Sequence, residues 1–335
     1  MTDVTHNSTL ACRSITDLAN QTGVSTGTVS RVLNQRGRVS PETRQRVLRA
    51  ARDANFRPRM TARRTHVAVI SDRARYAVPG GYVANLMSHM ADELADGEYA
   101  IELYTEGNVT RLNDRFIDGI LTMAWDDSTI RALRRVKNVP VVMISRQDLP
   151  EFSVVGTDHA EGGRMVADHL LDRGHRRIAV LSEDMTFGLK QRVQGFRDAF
   201  ERRGLAFDES LVGLTRHQPV YSAVGRLLQL NPSALFIGSE DLSLEVTHVL
   251  TRVFGRKIGQ DLSVIGMETP SVSQFLDPPL STLAQPLDKI AYRAVRLLIE
   301  QMQAPAFEPA KVILPNELIA RESVVDIASS PAAAG

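Results

Sequence analysis

Residues Ser14 to Asn34, SITDLANQTGVSTGTVSRVLN, predict two short helices joined by a tight turn. Ser14 and Ser25 are typical N-cap residues for the two helices, and Gly23 suits the left-handed position that ends the first. Apolar residues at helical spacing give each helix one face to bury: Ile15, Leu18 and Ala19 in the first, and Val29, Val32 and Leu33 in the second. This pattern is typical of a helix-turn-helix.

The second helix leaves a polar face outside this buried stripe: Thr26, Gly27, Ser30, Arg31 and Asn34. Short polar side chains with one arginine are what a helix needs to enter a DNA major groove. A glycine inside a helix costs about 1 kcal/mol relative to alanine, so Gly27 indicates close approach of another molecule to the backbone. Any three-helix bundle also contains a helix, a turn and a helix, and these residues alone leave that alternative open.

The positive charge of the chain is concentrated at its N-terminal end, and the rest of the chain is acidic. Overall the 335 residues carry a formal charge of only +1, but residues 1–66 hold twelve arginines against four acidic residues. The head is therefore at +8 and the remaining 269 residues are at −7. A basic head on an acidic body is the electrostatic pattern of a nucleic-acid-binding protein.

Other features of composition exclude several classes of protein. With Cys12 as the single cysteine, neither a disulfide framework nor a thiolate zinc site is expected. No apolar run approaches a membrane span, and the polar start MTDVTHNSTL does not resemble a secretory signal, so we expect a cytoplasmic protein. No phosphate-binding loop, metalloprotease motif or dinucleotide fingerprint occurs, which predicts no enzyme activity, no cofactor and no metal.

The rest of the chain predicts a third helix and then an α/β body. Ser40-Pro41-Glu42 begins a helix with a buried stripe, and Arg44, Arg46, Arg49 and Arg52 decorate its outside. From Val67 short apolar strands alternate with amphipathic helices, which predicts parallel sheets with helices on both faces. Nine strands suit two doubly wound lobes. They are Val67–Ile70, Tyr99–Tyr104, Gly119–Met123, Val139–Ile144, Val154–Thr157, Ile178–Ser182, Ala234–Gly238, Leu262–Met267 and Ser281–Ala284.

Several stretches resemble the lactose/galactose-repressor family of bacterial transcription regulators. The most specific are ITDLANQTGVSTGTVSRVLN and VSPETRQRVLRAARDANFRP in the head. In the body the similar stretches are VGTDHAEGGRMVADHLLDRGHRRIAVLS, RVQGFRDAFERRG, DLSVIGMETPSVSQFLDPPLSTLAQP and LIARESV. The resemblance covers nearly the whole chain. It implies a three-helix helix-turn-helix head joined to a two-lobed, periplasmic-binding-protein-like body of doubly wound parallel sheets.

The resemblance also implies domain boundaries. We expect a disordered leader at 1–13, a DNA-binding domain at 14–58, a short hinge at 59–66, an effector-binding and dimerisation domain at 67–327 and a disordered tail at 328–335. Within the body, the first lobe is expected at about 67–157 and 285–304, and the second at about 158–284 and 305–327.

The family pattern assigns roles to residues of the head. Thr26, Gly27 and Arg31 fall where the recognition helix meets bases, and arginine can bond guanine with two hydrogen bonds. Phosphate contacts, which hold register without reading sequence, are implied for Ser14, Ser25, Thr28, Ser30 and Asn34. Arg63 and Arg64 in the hinge are also expected near DNA. The hinge lacks the family's leucine and is shorter, which predicts weaker DNA bending than the family norm.

The candidate effector site follows from the architecture. In doubly wound sheets, ligands bind beyond the carboxyl ends of the strands. The residues that follow from this rule and from the resemblance are Ser71, Asp72, Trp125, Asp126, Arg146, Asp158, Arg192, Asp241 and Glu268. Polar side chains with one flat aromatic ring suit a sugar. Acidic residues after strands also commonly cap helices, and the family's Asn-Asp pair is Glu240-Asp241 here, so a usual sugar is not assured.

These observations predict a dimeric, sequence-specific DNA-binding regulator, expected to be a repressor of a near-palindromic operator. A small ligand, a sugar or related metabolite, is expected in the cleft between the lobes and would change operator affinity through its preference for one lobe closure. Two alternatives remain at this stage. One is the same architecture with a degenerate pocket and no effector, and the other is a solute-binding protein, which would not need a basic head.

Overall fold

The computed structural model describes residues 14–328 apart from 35, 55, 57–64, 75, 76, 78, 79, 98, 145 and 305. The predicted leader, most of the hinge with Arg63 and Arg64, and nearly all of the tail therefore lie outside the described residues.

The N-terminal head consists of three helices: α1 (Ile15–Thr22), α2 (Thr26–Leu33) and α3 (Pro41–Asp53). The caps are those that the sequence predicts. Ser14, Ser25 and Ser40 each accept a backbone hydrogen bond through the side-chain hydroxyl at the start of a helix. Gly23 ends α1 with φ 65° and ψ 31°, a left-handed conformation that costs glycine little.

The apolar stripes of the three helices form one core. Its members are Leu18, Ala19, Val29, Val32, Leu33, Val47, Leu48, Ala51 and Phe56, together with Phe116 from the body. Each is at most 8% exposed. Because α2 contributes only its valines and leucine to this core, its polar face is left outside.

Strands and helices alternate through the body. The helices are α4 (Tyr82–Ala95), α5 (Asp127–Arg134), α6 (His159–Asp172), α7 (Phe187–Glu201), α8 (Val220–Gln229), α9 (Ser243–His248), which a π-helical turn Val249–Val253 continues, and α10 (Leu287–Gln303). The strands are β1 (Thr65–Ser71), β2 (Tyr99–Tyr104), β3 (Gly119–Met123), β4 (Val141–Met143), β5 (Ser153–Thr157), β6 (Ile178–Ser182), β7 (Val212–Leu214), β8 (Ala234–Ile237), β9 (Ser263–Met267), β10 (Ser281–Ala284), β11 (Lys311–Leu314) and β12 (Glu317–Ile319).

The strands form two six-stranded sheets, of order β11-β5-β4-β3-β1-β2 and β12-β10-β9-β8-β6-β7. In the first, β1 pairs in parallel with β2 and β3, and β5 with β11. In the second, only β12 is antiparallel to its neighbour. This confirms the predicted α/β class with mainly parallel sheets. All nine predicted strands are present, and the three that the sequence did not predict, β7, β11 and β12, lie at sheet edges.

The chain divides into two compact units. The first unit comprises residues 1–73, 91–142 and 295–308, and therefore includes the head. The second unit comprises residues 74–90, 143–294 and 309–335. The predicted lobe boundaries stay a prediction.

Helices α6 and α7 of the second unit pack with their backbones in close approach. A Cβ atom on Gly163 would lie 2.0 Å from the carbonyl oxygen of Arg192, and one on Gly195 would lie 2.0 Å from that of Ala160. Only glycine fits at such distances. These two contacts fix the part of α7 that carries Arg192.

We expect Gly195→Ala to destabilise the protein by about 1–3 kcal/mol, because the new methyl group forces two backbones apart. Gly225→Ala in α8 is the matched control, since its Cβ would meet only the ring of Phe254, 3.0 Å away and 37% exposed, which can move. The free energy of unfolding of this control should be unchanged or higher by up to about 1 kcal/mol, because alanine favours a helix more than glycine does. Urea unfolding measures both. An unfolding free energy of Gly195→Ala equal to that of Gly225→Ala would contradict the close packing.

Candidate functional site

The polar face of α2 is accessible in the head. Thr26, Gly27 and Arg31 are exposed, whereas Thr28, Ser30 and Asn34 are half-buried. A Cβ on Gly27 would meet only the hydroxyl of Ser25, at 3.8 Å, so its backbone is open to another molecule. The residues assigned to base reading are therefore those most exposed on this helix.

Local hydrogen bonds hold the polar side chains of α2 in place. Arg31 Nε donates to the carbonyl of Gly27 at 3.2 Å, and Arg31 Nη2 donates to Thr28 Oγ1 at 3.2 Å. Asn34 Nδ2 donates to the carbonyl of Ser30 at 2.8 Å. The guanidinium of Arg31 thus lies back along its own helix and has to leave these bonds to reach a base edge.

Two of the residues assigned to phosphate contact cap helices. Ser14 Oγ accepts from the backbone N–H of Asp17 at 3.1 Å, and Ser25 Oγ accepts from that of Thr28 at 3.1 Å. A hydroxyl that accepts at a cap can still donate its proton to a phosphate oxygen. The N-termini of the two helices also carry the positive ends of their dipoles, which favour an anion.

Among the described arginines of the head, Arg31, Arg36, Arg38, Arg46 and Arg49 are exposed, and Arg44 is half-buried. Arg52 differs from the prediction that placed it on the outside of α3. It is partly buried, and its Nη2 donates to the carbonyl of Arg115 at 3.1 Å. The reason is that the C-terminal end of α3 packs on the body, so this position is not available to DNA in this conformation.

Four of the predicted effector residues lie in the first unit: Ser71, Asp72, Trp125 and Asp126. Asp72 is 2% exposed, and its Oδ2 accepts from the backbone N–H groups of Trp125 and Asp126 at 2.9 and 2.8 Å. Burial raises the pKa of Asp72, and these two N–H groups oppose the shift. Asp72 therefore ties the end of β1 to the loop after β3.

Trp125 follows β3 and is half-buried. The guanidinium of Arg73 lies 5.2 Å from the centre of its ring, a cation–π arrangement. One face of the indole is therefore in contact with Arg73. The sequence predicted that this ring covers the apolar face of a sugar, and that role needs the other face.

The other five predicted effector residues, Arg146, Asp158, Arg192, Asp241 and Glu268, lie in the second unit. Arg146 forms two hydrogen bonds with Asp148, and Asp158 caps α6 by accepting from the N–H of Glu161. Glu268 is paired with Arg321 at 2.9 Å and accepts from the hydroxyl of Thr282. Arg192 belongs to the cluster described next. Asp241 is exposed in the turn that precedes α9.

Arg192 lies in a cluster of polar side chains of the second unit, which we call the Arg192 cluster: Tyr82, Thr157, His159, Arg192, Glu240 and Gln285. A chain of hydrogen bonds runs from Thr157 Oγ1 to Gln285 Oε1 (2.9 Å) and from Gln285 Nε2 to Glu240 Oε1 (3.1 Å). Arg192 is 6% exposed, and its Nη1 is 3.5 Å from the carbonyl of Gly238.

The electrostatics of the Arg192 cluster are those of opposite charges taken out of water. Burial lowers the pKa of Arg192 and raises that of Glu240, and in each case the charge of the other residue opposes the shift. Burial, helped by Arg192, lowers the pKa of His159 to about 3, so its imidazole is neutral near pH 7. The cluster thus combines one cation and one anion with neutral donors and acceptors.

Two buried atoms of this cluster have no hydrogen-bond partner among the described residues: Arg192 Nε and His159 Nδ1. A buried polar atom without a partner costs about 1–3 kcal/mol, so both atoms favour an added polar group. Tyr82, Thr157 and Gln285 were not candidates from sequence. Tyr82 lies at the start of a helix, and no local motif marks its proximity to Glu240.

A cavity of about 280 Å³ opens beside His159. Its other lining residues are Gln147, Asp148, Asp158, Phe187, Gln191, Lys311 and Ile313, all in the second unit. The ring of Phe187 meets that of His159 edge to face, with the centres 6.2 Å apart. The cavity therefore offers amide groups, charges of both signs and one aromatic edge.

Within the described residues, no group of three or more His, Cys, Asp or Glu side chains is placed to hold a metal ion. None of the helices in that same part of the chain is long and apolar enough to cross a membrane.

Comparison with known proteins covers both parts of the molecule. Residues 14–59 match the family of bacterial regulatory proteins named lacI, and residues 167–324 match the periplasmic binding protein-like domain. The HTH-type transcriptional regulator DegA of Bacillus subtilis is 32% identical over 330 residues, covering 92% of this chain and 97% of DegA. The HTH-type transcriptional repressor PurR of Mannheimia succiniciproducens is 29% identical, covering 94% and 99%.

A solved structure described as a complex of the transcriptional regulator CelR with cellobiose has a TM-score of 0.70 and 27% identity, covering 92% of this chain and 99% of CelR. The similarity therefore extends through head and body alike. The chain belongs to the lacI family of bacterial transcriptional regulators, with a helix-turn-helix DNA-binding domain and an effector-binding body.

Proposed function

We propose that this protein is a repressor that binds a near-palindromic operator as a homodimer and responds to a small polar effector. The observation that carries the proposal is the accessible face of α2, where Thr26, Gly27 and Arg31 are exposed while the opposite face is buried in the head core. PurR, which matches over nearly its whole length, is named a repressor.

We infer a division of labour within the head. Arg31 reads bases, because it is the one long donor on the exposed face of α2. Exposed arginines off that face, such as Arg49 on α3, hold phosphates and supply affinity without sequence preference.

Exposed apolar side chains on the second unit support dimer formation. Five large side chains of α8, α9 and the segments after them are exposed: Tyr221 (54%), Leu244 (60%), Val253 (57%), Phe254 (37%) and Phe275 (76%). Large apolar side chains that gather in one exposed patch mark an interaction surface. We propose a second copy of this chain as the occupant, because two half-sites of an operator require two heads.

For the effector, the Arg192 cluster and the neighbouring cavity support an uncharged, hydroxyl-bearing molecule of the sugar class. Glu240 already compensates the charge of Arg192, so an anionic ligand would add an uncompensated charge. Arg192 Nε can donate to a hydroxyl, and neutral His159 Nδ1 can donate or accept. The relative CelR is described in complex with cellobiose, which is such a molecule.

The alternative hypothesis is a DNA-binding regulator of the same architecture that responds to no effector. It is favoured by the internal partners of Asp72, Arg146, Asp158 and Glu268, which leave fewer side chains for a ligand. The effector experiment below separates the two.

For DNA binding, we expect Arg31→Ala to weaken binding by about 1–3 kcal/mol and to relax the preference at one base pair of each half-site. Arg49→Ala should weaken binding to all DNA sequences alike, and it should reduce the slope of log K, the binding constant, against log salt concentration by about 1. Gel retardation on promoter fragments from genome-wide footprinting, at several salt concentrations, measures both effects. Identical behaviour of the two variants would refute the division of labour, and no retardation of any fragment would refute the function.

For the dimer, Leu244→Glu should shift the protein towards the monomer, because it places a charge among these exposed apolar side chains. Sedimentation equilibrium of the full-length protein measures the change. Arg226→Gln, which lowers the net charge by the same one unit at an exposed position of α8, is the control for charge. A wild-type protein that is monomeric at micromolar concentration would contradict the proposal.

For the effector, cellobiose or another neutral sugar should raise the melting temperature more than glucose 6-phosphate does, since ligand binding to the folded state stabilises it. Arg192→Gln should abolish the shift, and Arg226→Gln should keep it. A panel of neutral sugars, sugar phosphates and nucleosides without any shift would favour the effector-independent rival.

A further inference from the structure

The head does not bury its core by itself: the body contributes one side chain to it. Phe116, which follows a 3-10 turn of the first unit at Val109–Asp114, is 8% exposed and packs in the head core. The buried cluster that it joins includes Ala51 and Phe56, from the last turn of α3 and the segment that follows it. Its neighbour Arg115 accepts a hydrogen bond from Arg52, which locates Phe116 near the C-terminal end of α3.

Two hydrogen bonds frame this apolar contact. Arg52 Nη2 donates to the carbonyl of Arg115 at 3.1 Å, and Asn138 Nδ2 donates to the carbonyl of Arg52 at 2.9 Å. The carbonyls of the last helical turn lack partners within their own helix, so the amide of Asn138 supplies one from the body. We call Arg115, Phe116 and Asn138 the head seat.

Asn138 is held in an unusual backbone conformation. Its φ is 58°, in the left-handed region that asparagine tolerates better than most residues. The turn after α5 thereby presents its amide to α3. Burial also lowers the pKa of Arg52, and nearby Asp114 opposes the shift, as expected for a guanidinium enclosed between two parts of the chain.

The seat and the DNA-binding face lie on different sides of the head. Both hydrogen bonds with the seat involve Arg52, and Phe116 lies in the buried head core, whereas Thr26, Gly27 and Arg31 remain exposed. Docking on the seat therefore leaves α2 accessible, which distinguishes it from an autoinhibitory contact.

We propose that the head seat positions the DNA-binding head. Direct contact with the seat then sets the orientation of α2, and the head moves together with the part of the body that carries the seat. Phe116 and Asn138 are then positioning residues for operator binding. This inference rests on the proposed DNA-binding function for its consequence on operators, but the docking itself is independent of DNA.

Time-resolved fluorescence anisotropy of the full-length protein tests the docking. A dye on Gln21→Cys, an exposed position of α1, in a Cys12→Ser background reports how the head tumbles. We expect the wild-type background to show only the slow correlation time of the whole protein. Phe116→Ser and Asn138→Gly should each add a fast component of the size of the head alone.

Each variant has a matched control. Asn231→Gly changes the other left-handed asparagine of the described residues (φ 51°), and Ile101→Ser removes an exposed apolar side chain of the first unit (44%). Both should keep the slow component alone. Far-ultraviolet circular dichroism confirms that the variants are folded, and Asn138→Gly removes only an amide, which keeps the test valid if Phe116→Ser unfolds the head.

Operator binding tests the consequence. On a footprinted fragment with two half-sites, both seat variants should bind on the order of tenfold more weakly, because freely moving heads lose effective concentration at the second site. On a single half-site their affinity should equal the wild-type value.

A fast component in the wild-type background, or unchanged anisotropy in both seat variants, would overturn the proposal. Equal loss on one and two half-sites would also do so. If no DNA fragment binds, the proposed function fails, and the anisotropy still decides whether the head is docked.

Discussion

The burial of one face of α2 is the interaction on which the DNA-binding surface depends. A helix of eight residues is not stable in water by itself, so its accessible polar face exists only because Val29, Val32 and Leu33 are held in the head core. That core is small, and a segment of this size gains little stability from burial. The addition of Phe116 from the body therefore ties the local order of the head to the rest of the first unit.

Much of the fold follows from local rules in the sequence. The serines at 14, 25 and 40 and the glycine at 23 determine where the head helices begin and end, and each acts within four residues of its own position. Eight of the nine predicted strands are apolar runs that are almost entirely buried on both faces, which leaves a continuous apolar pattern, whereas β2 is a partly exposed edge strand. The three missed strands are edge strands of three or four residues that are only partly buried, and Lys311–Leu314 alternates between exposed and half-buried residues, so neither length nor hydrophobicity distinguishes them from loops.

The candidate sites were less predictable because their partners are distant in sequence. The rule that ligands bind after strands selected Asp72, Asp158 and Glu268, but the rule cannot separate a ligand contact from a loop tie, a helix cap or an ion pair. Glu240 and Gln285 join Arg192 from 48 and 93 residues away along the chain, and no spacing rule relates them. Arg52 shows the same limit of prediction. Its position on the polar side of α3 predicts a solvent-exposed side chain, and nothing in the sequence indicates that the carbonyl of Arg115 lies next to it.

The shared phenylalanine has a consequence for protein engineering. Regulators of modular build invite the exchange of heads between bodies at the linker, as though the two parts were separable. In this molecule a cut between residues 56 and 65 would leave Phe116 with the donor body and a vacancy in the transplanted core. A hybrid made from this head should therefore carry the 109–116 loop and an asparagine equivalent to residue 138 with it, or replace them with side chains of matching volume.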